Sequence, residues 1–215
     1  PVVRTPQRTV GRGGLGYSHF DYASLANDPP HPDAPLSADD AWERIAYFIG
    51  RVIPVAETCR VRLGCHPHDP GMPAGVGYRG VERVLGSIAG VKRFIALHPS
   101  PYHGLNFCQG TIAEMCTDLE EVYEAIRYFG SRRRIFWVHF RNIRGGFLRF
   151  DEVMPDEGDV DMVRATRTYQ EVGYEGVLDP DHVPSSALDS PWGHRARAYC
   201  FGYIQGVLQA LGAAG

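Results

Sequence analysis

No stretch of this sequence approaches the roughly 18 consecutive apolar residues that a membrane-spanning helix requires, so no membrane span is expected. A charged-then-apolar leader of the secretory type is missing too, and the first residue is Pro1 rather than Met, so the natural start is expected upstream. Cys-x-x-Cys spacing is absent. The five cysteines (Cys59, Cys65, Cys108, Cys116 and Cys200) are odd in number, which argues against a disulfide framework and fits a reducing cytoplasm. Positive charge is not in excess: a net charge of -3 removes the electrostatic case for a nucleic acid or an anionic membrane as partner. The one basic run, Arg132-Arg133-Arg134, is short and precedes an apolar stretch, so it reads as a solvated helix-to-strand turn. Short repeats and low-complexity tracts are lacking.

What remains is ordinary globular material, 44% hydrophobic and 22% charged over 215 residues, enough for one core. Residues 1–36, rich in Gly, Pro and polar residues, read as a long loop with a short strand at Gly16–Tyr22; loops of that length are commonly functional. Ser37 caps a helix whose first turn carries Asp39 and Asp40 and whose buried face is Trp42, Ile45, Ile49 and Ile53. Pro54 should kink or end it, with a second segment to about Thr58. Val61–His66 reads as a buried strand. Val81–Ala89 and Val91–Leu97 look helical, broken near Gly90. Leu105–Cys108 is a short strand, and Asp118 caps a helix that stops at Gly130. Ile135–His139 is continuously apolar, as in a parallel sheet. Asp159 caps a helix carrying Met162, Thr166 and Tyr169, Gly176–Leu178 gives a last strand, and Ala196–Leu211 is helical. Four alternations of strand and helix predict an α/β fold with a parallel sheet and right-handed crossovers.

The position of a few residues carries the chemistry. Successive strands end at His66, Cys108, His139 and Asp181-His182. In parallel α/β folds the C-terminal strand ends converge on one mouth, so these side chains are expected to meet in one volume. Each alone has a plain structural reading: a small buried thiol, a hydrogen-bonded core histidine, a loop-capping acid. Together, two imidazoles, a thiolate and a carboxylate suit Mn, Fe, Co or Zn better than Ca or Mg. His182 can exchange a proton at the site or hold a ligand in place. Arg141 and Asn142 can grip a carboxylate and a hydroxyl, or serve as loop hydrogen bonders. His68 reads as loop or substrate wall; Trp192 can wall the site or pack on a neighbouring helix. Glu157 and Asp161 read as helix-capping groups.

Several segments together resemble the mannonate dehydratase family, a branch of the xylose-isomerase-like TIM barrels. They are Val52-Ile53-Pro54-Val55-Ala56-Glu57, His66-Pro67-His68-Asp69-Pro70, Pro99-Ser100-Pro101 with Gly104–Gly110, Val138-His139-Phe140-Arg141-Asn142, Glu157–Met162 and Pro180-Asp181-His182, in the family's order. The resemblance implies dehydration of D-mannonate to 2-keto-3-deoxy-D-gluconate with Mn²⁺ or Fe²⁺ held by His66, Cys108, His139 and Asp181, and His182 as the acid/base histidine. It also implies a (β/α)8 barrel of which this chain supplies about strands five to eight: residues 1–36 as a mouth loop after a barrel strand, and 37–215 as the C-terminal half of the catalytic domain. Either a missing N-terminal half barrel or a homo-oligomer would then complete the fold. Alternative readings are a sugar isomerase or epimerase of the same superfamily, or a non-catalytic half barrel. Three positions depart from the family pattern: His68 stands where an acid is usual, Asp179 where an arginine is usual, and the mouth tyrosine has Trp192 as its nearest counterpart. These departures point to a divergent branch and leave the accepted sugar acid open.

Overall fold

The computed structural model describes residues 3–212 apart from 26, 73, 74 and 76. Two four-stranded sheets form the frame. The parallel one has β3 (Leu63–Cys65), β4 (His103–Cys108), β5 (Ile135–His139) and β8 (Leu178–Asp179) side by side in chain order, β3 and β8 being its edges. The antiparallel one has the order β1 (Thr5–Val10), β2 (Gly16–Asp21), β7 (Arg149–Val153), β6 (Asn142–Gly146). Helices α1 (Tyr22–Leu25), α2 (Ala38–Cys59), α3 (Ile88–Ala96), α4 (Gln109–Ala113), α5 (Glu120–Gly130), α6 (Met162–Glu171) and α7 (His194–Ala210) make up the rest. No described helix is long and apolar enough to cross a membrane.

Local chemistry accounts for the main elements. Ser37 and Asp40 form a reciprocal capping box at the start of α2. Pro54 does not end α2, which continues to Cys59, close to the Thr58 limit expected for a second segment; the proline is exposed. Asp161, not Asp159, caps α6 by accepting from the Arg164 N–H at 2.9 Å; Asp159 instead accepts from the Gly145 N–H at 2.7 Å. Glu157, expected as a cap, accepts from the Tyr17 hydroxyl.

Two expectations are corrected. The segment 1–36 is not a loop throughout: it folds into the β1–β2 hairpin, whose second strand pairs with β7. Tyr17 and Phe20, three residues apart and so on opposite faces of β2, are both fully buried, which anchors the hairpin on two sides. Only one helix forms between residues 81 and 97, because Val81 pairs with Tyr78 and Leu36 instead and Ser87 caps α3. Gly90, expected as a break, sits inside α3; a Cβ there would lie 1.9 Å from the Val84 carbonyl oxygen, so only glycine permits this close approach.

The core lies between the helices and the parallel sheet, with Phe107, Ile112, Ile126, Phe129, Val138 and Phe140 essentially inaccessible. The opposite face of that sheet is open: Trp137, in the middle of β5, is 42% exposed.

Candidate metal centre

β4 and β5 are in register so that Cys108 lies opposite His139, and His139 opposite Asp179, two residues before Asp181. His66 immediately follows β3. The four strand ends therefore bring His66, Cys108, His139 and Asp181 together, with one ligand atom from each within 4.8 Å of all the others.

Each donor is prepared by its neighbours. The Nδ1 of His66 lies 2.6 Å from the Pro67 carbonyl oxygen and so carries the proton, leaving Nε2 as the free donor atom. Cys108 is fully buried at the start of α4. Burial pushes its thiol up, but Arg141 (Nε at 3.3 Å from Sγ) and the two imidazoles outweigh it, holding the group well below the usual thiol range as a thiolate. Burial likewise pulls the His139 imidazole down, yet Asp181 and Cys108 raise it to about 9; burial raises the Asp181 carboxyl, yet His139 and His182 bring it to about 2. His66 is raised as well: Cys108 overrides the effect of burial. Without a cation both imidazoles therefore hold their protons, and a cation binding there would displace them.

Whether these residues fit a cation is decided by two orphan atoms. His139 Nδ1 is buried and, although 3.0 Å from an Asp181 carboxylate oxygen, has no hydrogen bond of acceptable geometry. Asn106 Oδ1 is also buried and unpartnered, while its Nδ2 lies 2.9 Å from His139 Nε2. Turning the Asn106 amide over lets Oδ1 accept from Nε2–H, and Nδ1 then becomes a bare lone pair facing Cys108 and Asp181. A divalent cation held there would satisfy that lone pair and separate the facing donors. A second group, Asp69, Glu152 and His182, meets the same distance criterion. There the guanidiniums of Arg4 and Arg141 already neutralise the two carboxylates, so that group suits no further cation.

A model of the D-mannonate dehydratase (UxuA) family matches residues 33–214. This chain belongs to the mannonate dehydratase family. It is 31% identical over 182 residues to mannonate dehydratase 2 of Halalkalibacterium halodurans and 35% identical over 184 residues to mannonate dehydratase of Enterococcus faecalis. Each alignment takes in 82% of this chain but 51% and 49% of the relatives, so the chain spans about half their length. The mannonate dehydratase of Streptococcus suis serotype 2 superposes with a TM-score of 0.82 at 26% identity, over all of this chain and 64% of that one. A xylose isomerase domain protein from Alicyclobacillus acidocaldarius, at TM-score 0.59 and 16% identity, shares the fold over 81% of this chain and 61% of its own.

Within this chain the remaining expected site residues have other partners. Arg141, expected to grip a substrate carboxylate, is 4% exposed and grips the protein's own: Asp69 at 2.8 Å, Glu114 at 2.6 Å and Glu152 at 2.7 Å. Asn142, expected to bind a hydroxyl, has its amide nitrogen on the Pro155 and Val160 carbonyls and its oxygen on the Ile143 and Val160 N–H groups, so no hydrogen-bonding capacity is left over. Trp192 is 64% exposed and stacks with Arg197 of α7, which donates to the Asp181 carbonyl; packing on a neighbouring helix is what it does. His68 lies outside the four-donor cluster. Its Nδ1 accepts from the Leu85 N–H at 3.3 Å, and burial with Arg83 lowers it to about 4, so it is neutral. His182 sits at the cluster's edge, Nδ1 3.1 Å from Glu152 and Nε2 3.2 Å from Asp181.

Sequence reasoning missed the buried acids Glu114 and Glu152 and the role of Arg4, which pairs with Asp69 and Glu152. Glu152 carried a faint signal: it follows Phe150 at strand spacing, so one face of β7 alternates from core to site.

Proposed function

We propose that this chain holds one Mn²⁺ or Fe²⁺ ion on His66, Cys108, His139 and Asp181 and serves the dehydration of a sugar acid, D-mannonate to 2-keto-3-deoxy-D-gluconate. The observation that carries this reading is the convergence of four donor side chains, one of them a buried imidazole whose Nδ1 has no hydrogen-bond partner, in a member of the mannonate dehydratase family. The cation, when bound, supplies positive charge against the negative charge that develops on substrate oxygens.

The chain's own residues do the rest. In the reaction the C2–H bond breaks, its electrons form the C2=C3 bond, and the C3 hydroxyl leaves as water with an added proton; the enol then becomes the 2-keto acid. His182 serves one of these two proton transfers through Nε2, while Glu152 fixes Nδ1 and with it the tautomer. Arg141 keeps Cys108 anionic and ties three acids together beneath it.

The fold proposal goes with it: residues 37–215 as strands five to eight of a (β/α)8 barrel, the preceding segment running along its mouth, and four further βα units coming from polypeptide outside this chain. Incubation with D-mannonate and Mn²⁺, followed by mass analysis, tests the chemistry. Loss of one water supports the dehydratase; an unchanged mass with altered stereochemistry replaces it with an epimerase.

A further inference from the structure

The arginine run Arg132-Arg133-Arg134 lies at the opposite end of the sheet from the metal centre. The segments leading into β3, β4 and β5 meet there around a surface cavity of about 610 Å³, lined by Arg62, Arg132, Arg133, Arg134, Ser100 and Tyr102 among others and by no carboxylate. Arg134 donates to the carbonyls of Ser100 and His103, and Arg132 donates to the Tyr128 carbonyl and lies 3.9 Å over its ring. Among the described residues the side chains of Arg62 and Arg133 have no hydrogen-bond or ion-pair partner, and the Arg62 guanidinium lies 5.5 Å over the Phe136 ring. An adjoining cavity of about 520 Å³ shares Arg62 and Arg133, and its single acid, Glu175, pairs with neither.

Four uncompensated guanidiniums around one concavity stand out in a chain whose net charge is -3. Like charges gathered this closely repel, and a doubly charged oxyanion turns that repulsion into attraction, because guanidinium groups meet phosphate oxygens in paired, short hydrogen bonds. Backbone geometry fixes one of the four: Arg133 occupies the left-handed region at φ 53°, closing the turn between α5 and β5 with its side chain on the cavity.

We propose that this basal cavity binds a phosphate group, free or carried by a small metabolite, at a site separate from the metal mouth. An anion here sits away from the strand ends that carry the four proposed metal ligands. The proposal does not depend on which reaction the metal centre performs.

The test is calorimetric titration of the metal-loaded chain with inorganic phosphate and, in parallel, a hexose phosphate, with chloride at matched ionic strength as control. The double variant Arg62→Ala/Arg133→Asn is compared, asparagine being chosen because it tolerates the left-handed backbone. Cys108→Ser reports on anion binding at the metal. Expected is a saturable one-to-one isotherm that chloride does not reproduce, weakened about tenfold or more by the double variant and unchanged by Cys108→Ser, which corresponds to about 1.4 kcal/mol. Tighter binding of the hexose phosphate assigns the site to a phosphorylated metabolite; equal binding assigns it to the free anion. An isotherm that survives the double variant, disappears with Cys108→Ser, or is matched by chloride overturns the proposal. Both exposed positions tolerate substitution, and an unchanged melting temperature of the double variant verifies that it is folded.

Discussion

Cys108 illustrates what single residues contribute here. Its sulfur is a donor only as a thiolate, and Arg141 with the two imidazoles keeps it one in a fully buried position. Replacing it by serine removes both softness and charge, so Cys108→Ser is expected to lower bound metal from near one equivalent to a small fraction after dialysis, read by elemental analysis; unchanged metal content rules out the ligand set. Asn106 acts one step away. Asn106→Leu removes the group that orients His139 and is expected to weaken metal affinity roughly 10–100-fold with the fold intact. Beneath the site Arg4 and Arg141 face three acids, Asp69, Glu114 and Glu152. Burial and the neighbouring Asp69 raise Glu114 well above the carboxylate range, so it carries less of the compensating charge than Asp69 and Glu152. Glu114→Gln is therefore expected to change stability by less than about 1 kcal/mol, whereas Asp69→Asn removes a carboxylate that Arg4 and Arg141 share and is expected to cost about 2 kcal/mol in urea titrations. Burial pushes Asp69 up, but Arg141 and Arg4 hold it at about 2 against an ordinary 3.8. Its contribution, about 2 kcal/mol, is thus fully present above pH 3.8 and lost as the pH falls through 2, and Asp69→Asn should flatten the stability profile over that window.

At the scale of elements, the sequence was readable where a cap or a periodic face announced a boundary. Ser37 with Asp40 marked the start of α2, and the apolar run Ile135–Val138 marked β5. All four proposed ligands sit at the ends of strands legible in this way, which is why they could be named beforehand. Of the antiparallel sheet only β2 was legible, as the short strand expected at Gly16–Tyr22. The pairing that joins its two hairpins, β2 with β7, is between segments roughly 130 residues apart, which no local pattern encodes. The same long range hid the ion cluster, since Arg4, Asp69, Glu114 and Glu152 come from four distant places. This also explains the misreading of Arg141: its charge was visible, but the acids that consume it were not. Gly110 belongs to the same arrangement. A Cβ there would lie 2.7–2.9 Å from Arg141 side-chain atoms, so Gly110→Ala is expected to push the guanidinium off its acids and destabilise the chain, measured by thermal melting. Ser37→Ala, which touches only the α2 cap, should cost about 1 kcal/mol and leave metal binding unchanged.

For the whole molecule, the decisive feature is what the parallel sheet leaves open. A barrel interior is filled by layers of side chains from all its strands. Here Trp137 projects from the open face at 42% exposure, while Phe48 and Val61, on α2 and just before β3, are 60% and 52% exposed beside the free edge of that strand. An apolar cavity of about 500 Å³ between α2 and β3, lined by Ile45, Phe48, Val52 and Leu63, lies along the same edge. Open strand edges next to apolar surface favour pairing with another strand. The chain also spans about half the length of its relatives, and both facts fit the proposal that four preceding βα units close the barrel. All four proposed metal ligands lie within this chain, whereas under that proposal the preceding units would supply part of the wall around a sugar acid. The chain alone is therefore expected to bind close to one equivalent of Mn²⁺ yet turn over D-mannonate at least 100-fold more slowly than a polypeptide that also carries the preceding units, a gap of about 2.7 kcal/mol in transition-state stabilisation. Side-by-side metal analysis and product assays on the two polypeptides check this. Equal turnover by the 215-residue chain as a monomer would show that its open sheet needs no complement.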